Sequence, residues 1–126
     1  MVSLDLGYKI YAAFIKQNGS DAPEIEEYTD AFGNLVKAEK NELNEPVTFE
    51  YVNDGIYKVV KPSGWNRLKT ICISGNVGNG GNVTKPYGSI RMAFEGSDLL
   101  IYALDEVGTP INNQMSETPI KIIILN

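Results

Sequence analysis

From Pro46 onward the pattern of apolar runs and turn residues is that of β-strands throughout. "PVTFEYV" is rich in β-branched and aromatic residues, "NDG" then supplies turn chemistry, and "IYKVVK" resumes the pattern. Asn53-Asp54-Gly55 marks a hairpin, because these residue types tolerate the positive φ that tight turns demand. "PSGW" punctuates again before "RLKTICIS". In "SIRMAF", Ile90, Met92 and Phe94 point one way and Arg91 the other, the alternation of a half-buried antiparallel strand. "EGSD", "LLIYAL", "DEVGTP" and "TPIKIIIL" complete the series of turns and strands.

The N-terminal third is less decisive. In "YKIYAAFIKQ", Ile10 and Phe14 share a helical face, as do Tyr11 and Ile15, yet Gly7 and Asn18-Gly19 bracket the run at strand length. In "EIEEYTDAFGNLVKAEK", Ile25, Tyr28, Phe32 and Val36 fit a helical stripe, whereas Gly33-Asn34 divides the segment at a natural hairpin turn. Strands are the favoured reading in both places, and the span 23–40 remains open between hairpin and helix. "KAEKNELNEP", the most polar run, reads as a solvated connection. Strands at about 8–12-residue spacing predict a single all-β domain over residues 1–126, an antiparallel β-sandwich of immunoglobulin-like or jelly-roll-like type with Greek-key or meander topology.

The last strand departs from alternation. "IKIIIL" is apolar on both faces apart from Lys121, which suits either a central strand or one covered from outside the monomer. Ile120, Ile122, Ile123, Ile124 and Leu125 are therefore the candidate interface of a homo-oligomer, with a trimer favoured.

Composition narrows the chemistry. The 126 residues include 11 basic and 16 acidic side chains, a formal charge of −5, with no basic stripe, so nucleic acid is not an expected partner. One cysteine and no histidine exclude an internal disulfide, a zinc site built on these ligands and a Ser-His triad. Cys72, in "LKTICIS", reads as a small buried hydrophobe. The start of the chain lacks the pattern of a signal peptide, and no apolar run approaches the roughly 20 residues of a membrane span. Synthesis and folding in a reducing cytoplasm, without a membrane partner, is the expectation.

The glycine-rich "ISGNVGNGGNVTKPYG" resembles a phosphate cradle only superficially. Such a cradle lies between a strand and a helix N-terminus, and here Pro86, Gly88 and a strand follow; Thr84-Lys85 also reverses the required Lys-Thr order. Two readings stand, a surface connection or a contact loop carrying Asn76, Asn79, Asn82 and Tyr87. Trp65 and Tyr87 could stack on sugar faces, which would make the protein a carbohydrate-binding module; the alternative, favoured for Trp65, is that it plugs the core. No calcium loop of the D-x-D/N-x-D/N-G kind occurs, and no particular pair among the acids stands out as a hydrolytic dyad. No catalytic residue, cofactor or metal is expected.

"YKIYAAFIKQNGSDAPEIEEYTDAFGNLV" resembles the opening of small proteins encoded by tailed phages that infect Bacteroidetes, the crAss-like phages among them. The resemblance rests on a Y-x-V-Y-x-A-x-x-x-Q strand at Tyr8 to Gln17, a Gly-x-x-Ala-Pro turn at Gly19 to Pro23, and x-x-Gly-x-x-Val around Gly33 to Val36. A Gly-Val/Ile-Tyr strand in "DGIYKVV", an N-K-T-like strand in "RLKTICIS", and the terminal "TPIKIIIL" continue it. "KAEKNELNEPVTFEYVN" and the glycine loop have no counterpart in that pattern. The resemblance implies strands in the N-terminal third and a non-enzymatic virion component, such as a capsid decoration, head fibre or tail accessory subunit, contacting itself and other virion proteins. It carries over no binding or catalytic residues.

Overall fold

Amphipathic strands must bury one face each, and here they do so as two sheets closed on a common core. The computed structural model describes residues 7–60, 65, 67–74 and 88–125. The strands are β1 (Tyr8–Lys16), β2 (Glu24–Ile25), β3 (Glu27–Thr29), β4 (Leu35–Lys37), β5 (Glu39–Asn41), β6 (Thr48–Asn53), β7 (Ile56–Val60), β8 (Thr70–Ser74), β9 (Ser89–Glu95), β10 (Asp98–Leu104) and β11 (Thr118–Leu125). One sheet runs β2-β1-β11-β8, with β5 also on the edge of β1, and the other runs β6-β7-β10-β9. The pairings within both are antiparallel. The fold is all-β and of the β-sandwich type, as the alternation predicts.

The inward faces meet in one hydrophobic cluster. Tyr11, Ala13, Ile15, Ile120 and Ile122 come from the first sheet, and Phe49, Tyr57, Val59, Ile90, Leu99, Ile101 and Ala103 from the second. Each large apolar side chain so buried stabilises the fold by about 1.5–3 kcal/mol relative to exposure. Trp65 joins the cluster at 7% exposure, the core-plug reading rather than the sugar-stacking one, and little of its ring is left for a pyranose to stack on.

β1 is the central strand that the favoured reading of "YKIYAAFIK" requires. It pairs with β11 from Tyr8↔Leu125 to Ile15↔Thr118, joining the two ends of the described chain. The helical stripe through Tyr11 and Ile15 is resolved by alternation, since both lie on the inward face together with Ala13. Asp54-Gly55 forms the two-residue turn of the β6–β7 hairpin, with Asn53 closing β6 opposite Ile56. Gly55 has φ +68°, and a Cβ there would stand 2.3 Å from the Ile111 nitrogen, so glycine is needed for conformation and for space.

Two sequence expectations shift. The polar run after Lys37 is a connection only in part, because Glu39–Asn41 forms β5 on the edge of β1. Its polarity suits an edge strand, with Lys40 exposed and Glu39 accepting the Tyr11 hydroxyl hydrogen bond at 2.5 Å. "RLKTICIS" becomes strand only at Thr70, with Arg67–Lys69 in a turn.

The segment between β10 and β11 is fixed by side-chain amides. Asn112 Oδ1 accepts from the Gly55 amide and the Tyr57 hydroxyl, both at 2.9 Å. Its Nδ2 donates to the Tyr51 hydroxyl at 3.1 Å and to Asp54 Oδ1 at 3.0 Å. Gln17, 2% exposed, accepts from the Asn113 amide at 2.8 Å and donates to the carbonyls of Gly19 and Asp21. Paired in this way, these amides join the segment to the 17–21 turn in one sheet and to the 54–55 turn in the other.

Candidate interaction surface

β2 and β5 are two halves of one edge strand, opened opposite Phe14. Ile15 and Lys16 pair with β2, and Tyr11 to Ala13 pair with β5. At the opening, Phe14 accepts from the Glu26 amide at 2.8 Å and donates to the Ala38 carbonyl at 3.0 Å. The Ala38 amide donates to the Glu26 carbonyl at 2.8 Å, closing the base of an extruded hairpin formed by β3 and β4. The backbone of β1 is thus satisfied across the gap, and the edge can release a hairpin without stranding a buried amide.

The hairpin turn is locally specified. Asp30 Oδ1 accepts from the amides of Phe32 and Asn34, each at 2.9 Å, and Gly33 supplies φ +82°. Those amides, Asn34 foremost and then Phe32, hold the Asp30 carboxyl below the ordinary carboxylate range. The span 23–40 is therefore a hairpin, divided at Gly33-Asn34 as the turn chemistry predicts. The apolar stripe is distributed quite differently from a helix face. Of its members, Ile25 packs against the core and Val36 is half-buried, whereas Tyr28 and Phe32 are exposed by 53% and 89%, as is neighbouring Leu35 by 69%.

Beside the hairpin lies the outward face of β1, β11 and β8. Cross-strand rows place Ile71, Ile123 and Ile10 side by side, then Ile73, Lys121 and Ala12, and then Pro119 beside Phe14. Ile71 and Ile73 are about half exposed, and so is Phe14. A groove of about 580 Å³ runs between this face and the hairpin, floored by Ala12, Phe14, Ile73 and Pro119 and walled by Tyr28. Its charged lining is Lys40, Lys121 and Glu39, the last accepting the Tyr11 hydroxyl hydrogen bond, so the lining carries a net positive charge. Lys40 has Glu42 at 3.8 Å, whereas Lys121 has no ion-pair partner among the described residues.

The expected interface on the last strand splits in two. Ile120 and Ile122 are buried in the protein's own core and Ile124 packs against it, so these three cannot face a neighbouring subunit. Ile123 and Leu125 lie on the opposite face, with Leu125 37% exposed. The double-sided apolarity thus has two causes, a core on one side and the outer face on the other. The candidate contact residues Asn76, Asn79, Asn82 and Tyr87 lie outside the described residues.

The remaining chemistry is sparse. Cys72 is half-buried against the core, and burial pushes its thiol up to about 11, so it stays protonated at neutral pH. Among the described residues no three His, Cys, Asp or Glu side chains gather as metal ligands, and no helix is long and apolar enough to cross a membrane. Sequence reasoning missed the hairpin's exposed apolar residues and the Asn112 network. The local signal for the first was present in Asp30-x-Phe32-Gly33-Asn34, a turn with an aromatic ring at its tip. Compared with known protein families, with curated proteins and with solved structures, the chain matches none.

Proposed function

We propose that this chain is a non-enzymatic structural subunit acting by protein–protein assembly, of the virion kind that the sequence resemblance implies: a capsid decoration, head fibre or tail accessory subunit. The observation that carries this reading is the apolar outer face of β1, β11 and β8, continued by the exposed hairpin. Contiguous exposed apolar surface of this kind marks an interaction site on soluble proteins. The partners are further copies of the chain and other virion proteins, and the site of action is the particle after synthesis in the host cytoplasm. The carbohydrate-binding alternative loses one of its two candidate rings with Trp65 in the core, the other, Tyr87, lying outside the described residues.

Size exclusion coupled to light scattering tests the self-assembly part. A mass above that of one chain at micromolar concentration is expected, and a stable monomer overturns self-assembly. Mass spectrometry of purified particles tests the virion part, and absence of the chain from them overturns it.

A further inference from the structure

We infer that the groove between the outer sheet face and the hairpin receives the hairpin tip of a second copy, with Phe32 seated on the apolar floor and Asp30 facing Lys121. This deepens the assembly reading and rests on it. Both halves of the contact are present on every chain, and neither is satisfied within it. The groove offers Ala12, Phe14, Ile73 and Pro119 beneath a Tyr28 wall, and Phe32 is 89% exposed at the turn. A chain cannot fill its own groove in this way, because Tyr28 on β3 already forms the wall and Phe32 lies beyond it at the distal turn.

Charge selects this occupant over a flat face-to-face contact. Lys121 sits between Ile73 and Ala12 in the middle of the apolar rows, without an ion-pair partner among the described residues. A two-fold axis through that face would press the lysine against its own copy and bury two unneutralised ammonium groups. The hairpin tip supplies the opposite sign, since Asp30 is an anion anchored by two amide hydrogen bonds beside the exposed ring. A chain of formal charge −5 also repels its copies at long range, so local complementarity is required for self-association. Hairpin-into-groove contact is heterologous and propagates from copy to copy until a ring closes.

Two measurements test it independently. In a Cys72→Ala background, chains carrying Phe32→Cys are mixed with chains carrying Ile73→Cys and oxidised. A mixed disulfide should exceed either homodisulfide, and should exceed that from a control pairing Val52→Cys with Ile73→Cys. Separately, Asp30→Asn keeps the carbonyl that caps the turn and removes the charge, and Lys121→Met removes the other charge. Each should weaken self-association by roughly tenfold in light scattering at low salt. Asp30→Lys and Lys121→Asp chains should associate with each other better than either does with itself. If the unaltered protein assembles but the mixed disulfide does not exceed the control, or the charge variants leave association unchanged, the docking mode is overturned and the assembly reading stands. If the unaltered protein is monomeric throughout, both fall.

Discussion

The two sheets share one core but present opposite characters outward. On β6, β7, β10 and β9, outward positions carry charge beside apolar groups: Glu50 lies across from Lys58, and Lys58 pairs with Asp98 at 3.5 Å. Arg91 lies across from Tyr102, whose hydroxyl donates to Glu95 at 3.1 Å. Leu100, flanked by Lys58 and Ala93, is left only 8% exposed. On β1, β11 and β8 the equivalent positions are Ile10, Ala12, Phe14, Pro119, Ile71, Ile73 and Ile123, with Lys121 in their middle and Lys16, 3.9 Å from Glu26, at the end of β1. Exposed ion pairs contribute little to stability, so the charged face is better understood as keeping that sheet solvated and unpaired. On the first sheet the ion pairs Lys16–Glu26 and Lys40–Glu42 lie at the β2 and β5 edge, around an apolar centre that the assembly reading assigns to contact.

The sharpest way to break this contrast is on β11 itself, where adjacent residues face opposite environments. Ile122→Ala removes a fully buried side chain and should cost about 2–5 kcal/mol of folding stability, measured by urea denaturation of the monomer. Ile123→Ala, on the outward face, should cost less than about 1 kcal/mol in the same measurement while weakening assembly. Equal losses at both positions would mean that the outer face is already covered within the chain, and the division of the last strand would fail.

Both inner faces also carry a buried tyrosine, and these make the core sensitive to alkali from both sheets. Burial, then the hydrogen bond to Glu39, raises the Tyr11 phenol above its ordinary value. Burial, then the neighbouring Tyr51, does the same for Tyr57. A phenol whose pKa is higher folded than unfolded stabilises the fold fully below the unfolded value of about 10, and that contribution is lost as pH rises above it. Stability should therefore fall with pH above about 10, with phenolate absorbance rising together with the loss of β circular dichroism. Phenolate appearing at all the tyrosines while the β signal persists would show that neither ring is sequestered.

Much of this arrangement was legible in the residues, and what was hidden follows from one physical limit. Alternation in "SIRMAF" and the Asn53-Asp54-Gly55 turn are local signals, decided by neighbours two or three positions away, and both read correctly. The apolar run "IKIIIL" signalled burial but not its distribution, because which side of a strand meets the core depends on register with β1 and β8. The edge strand opened at Phe14 was invisible for the same reason, since Glu26 and Ala38 are twelve positions apart and meet each other and Phe14 only once the intervening hairpin folds back. Asn112 is likewise an ordinary loop asparagine until Gly55, Tyr57 and Asp54 surround it.

The smallest expected effect on folding comes from exchanging the characters of the two outer faces. Ile71→Lys places a charge on a residue 46% exposed in the row with Ile123, and Lys58→Ile removes the charge opposite Glu50 and Asp98. Each should change folding stability by only about 0.5 kcal/mol, because neither creates a cavity nor buries an unpaired group. Their effects on association should be opposite in sign. Ile71→Lys adds positive charge beside Lys121 within an apolar row and should lower the mass seen by light scattering. Lys58→Ile leaves Glu50 and Asp98 in place on the second sheet, so two anions still oppose contact there and native assembly should persist, with at most weak additional association. A drop in assembly with Lys58→Ile and none with Ile71→Lys would move the contact surface to the other sheet.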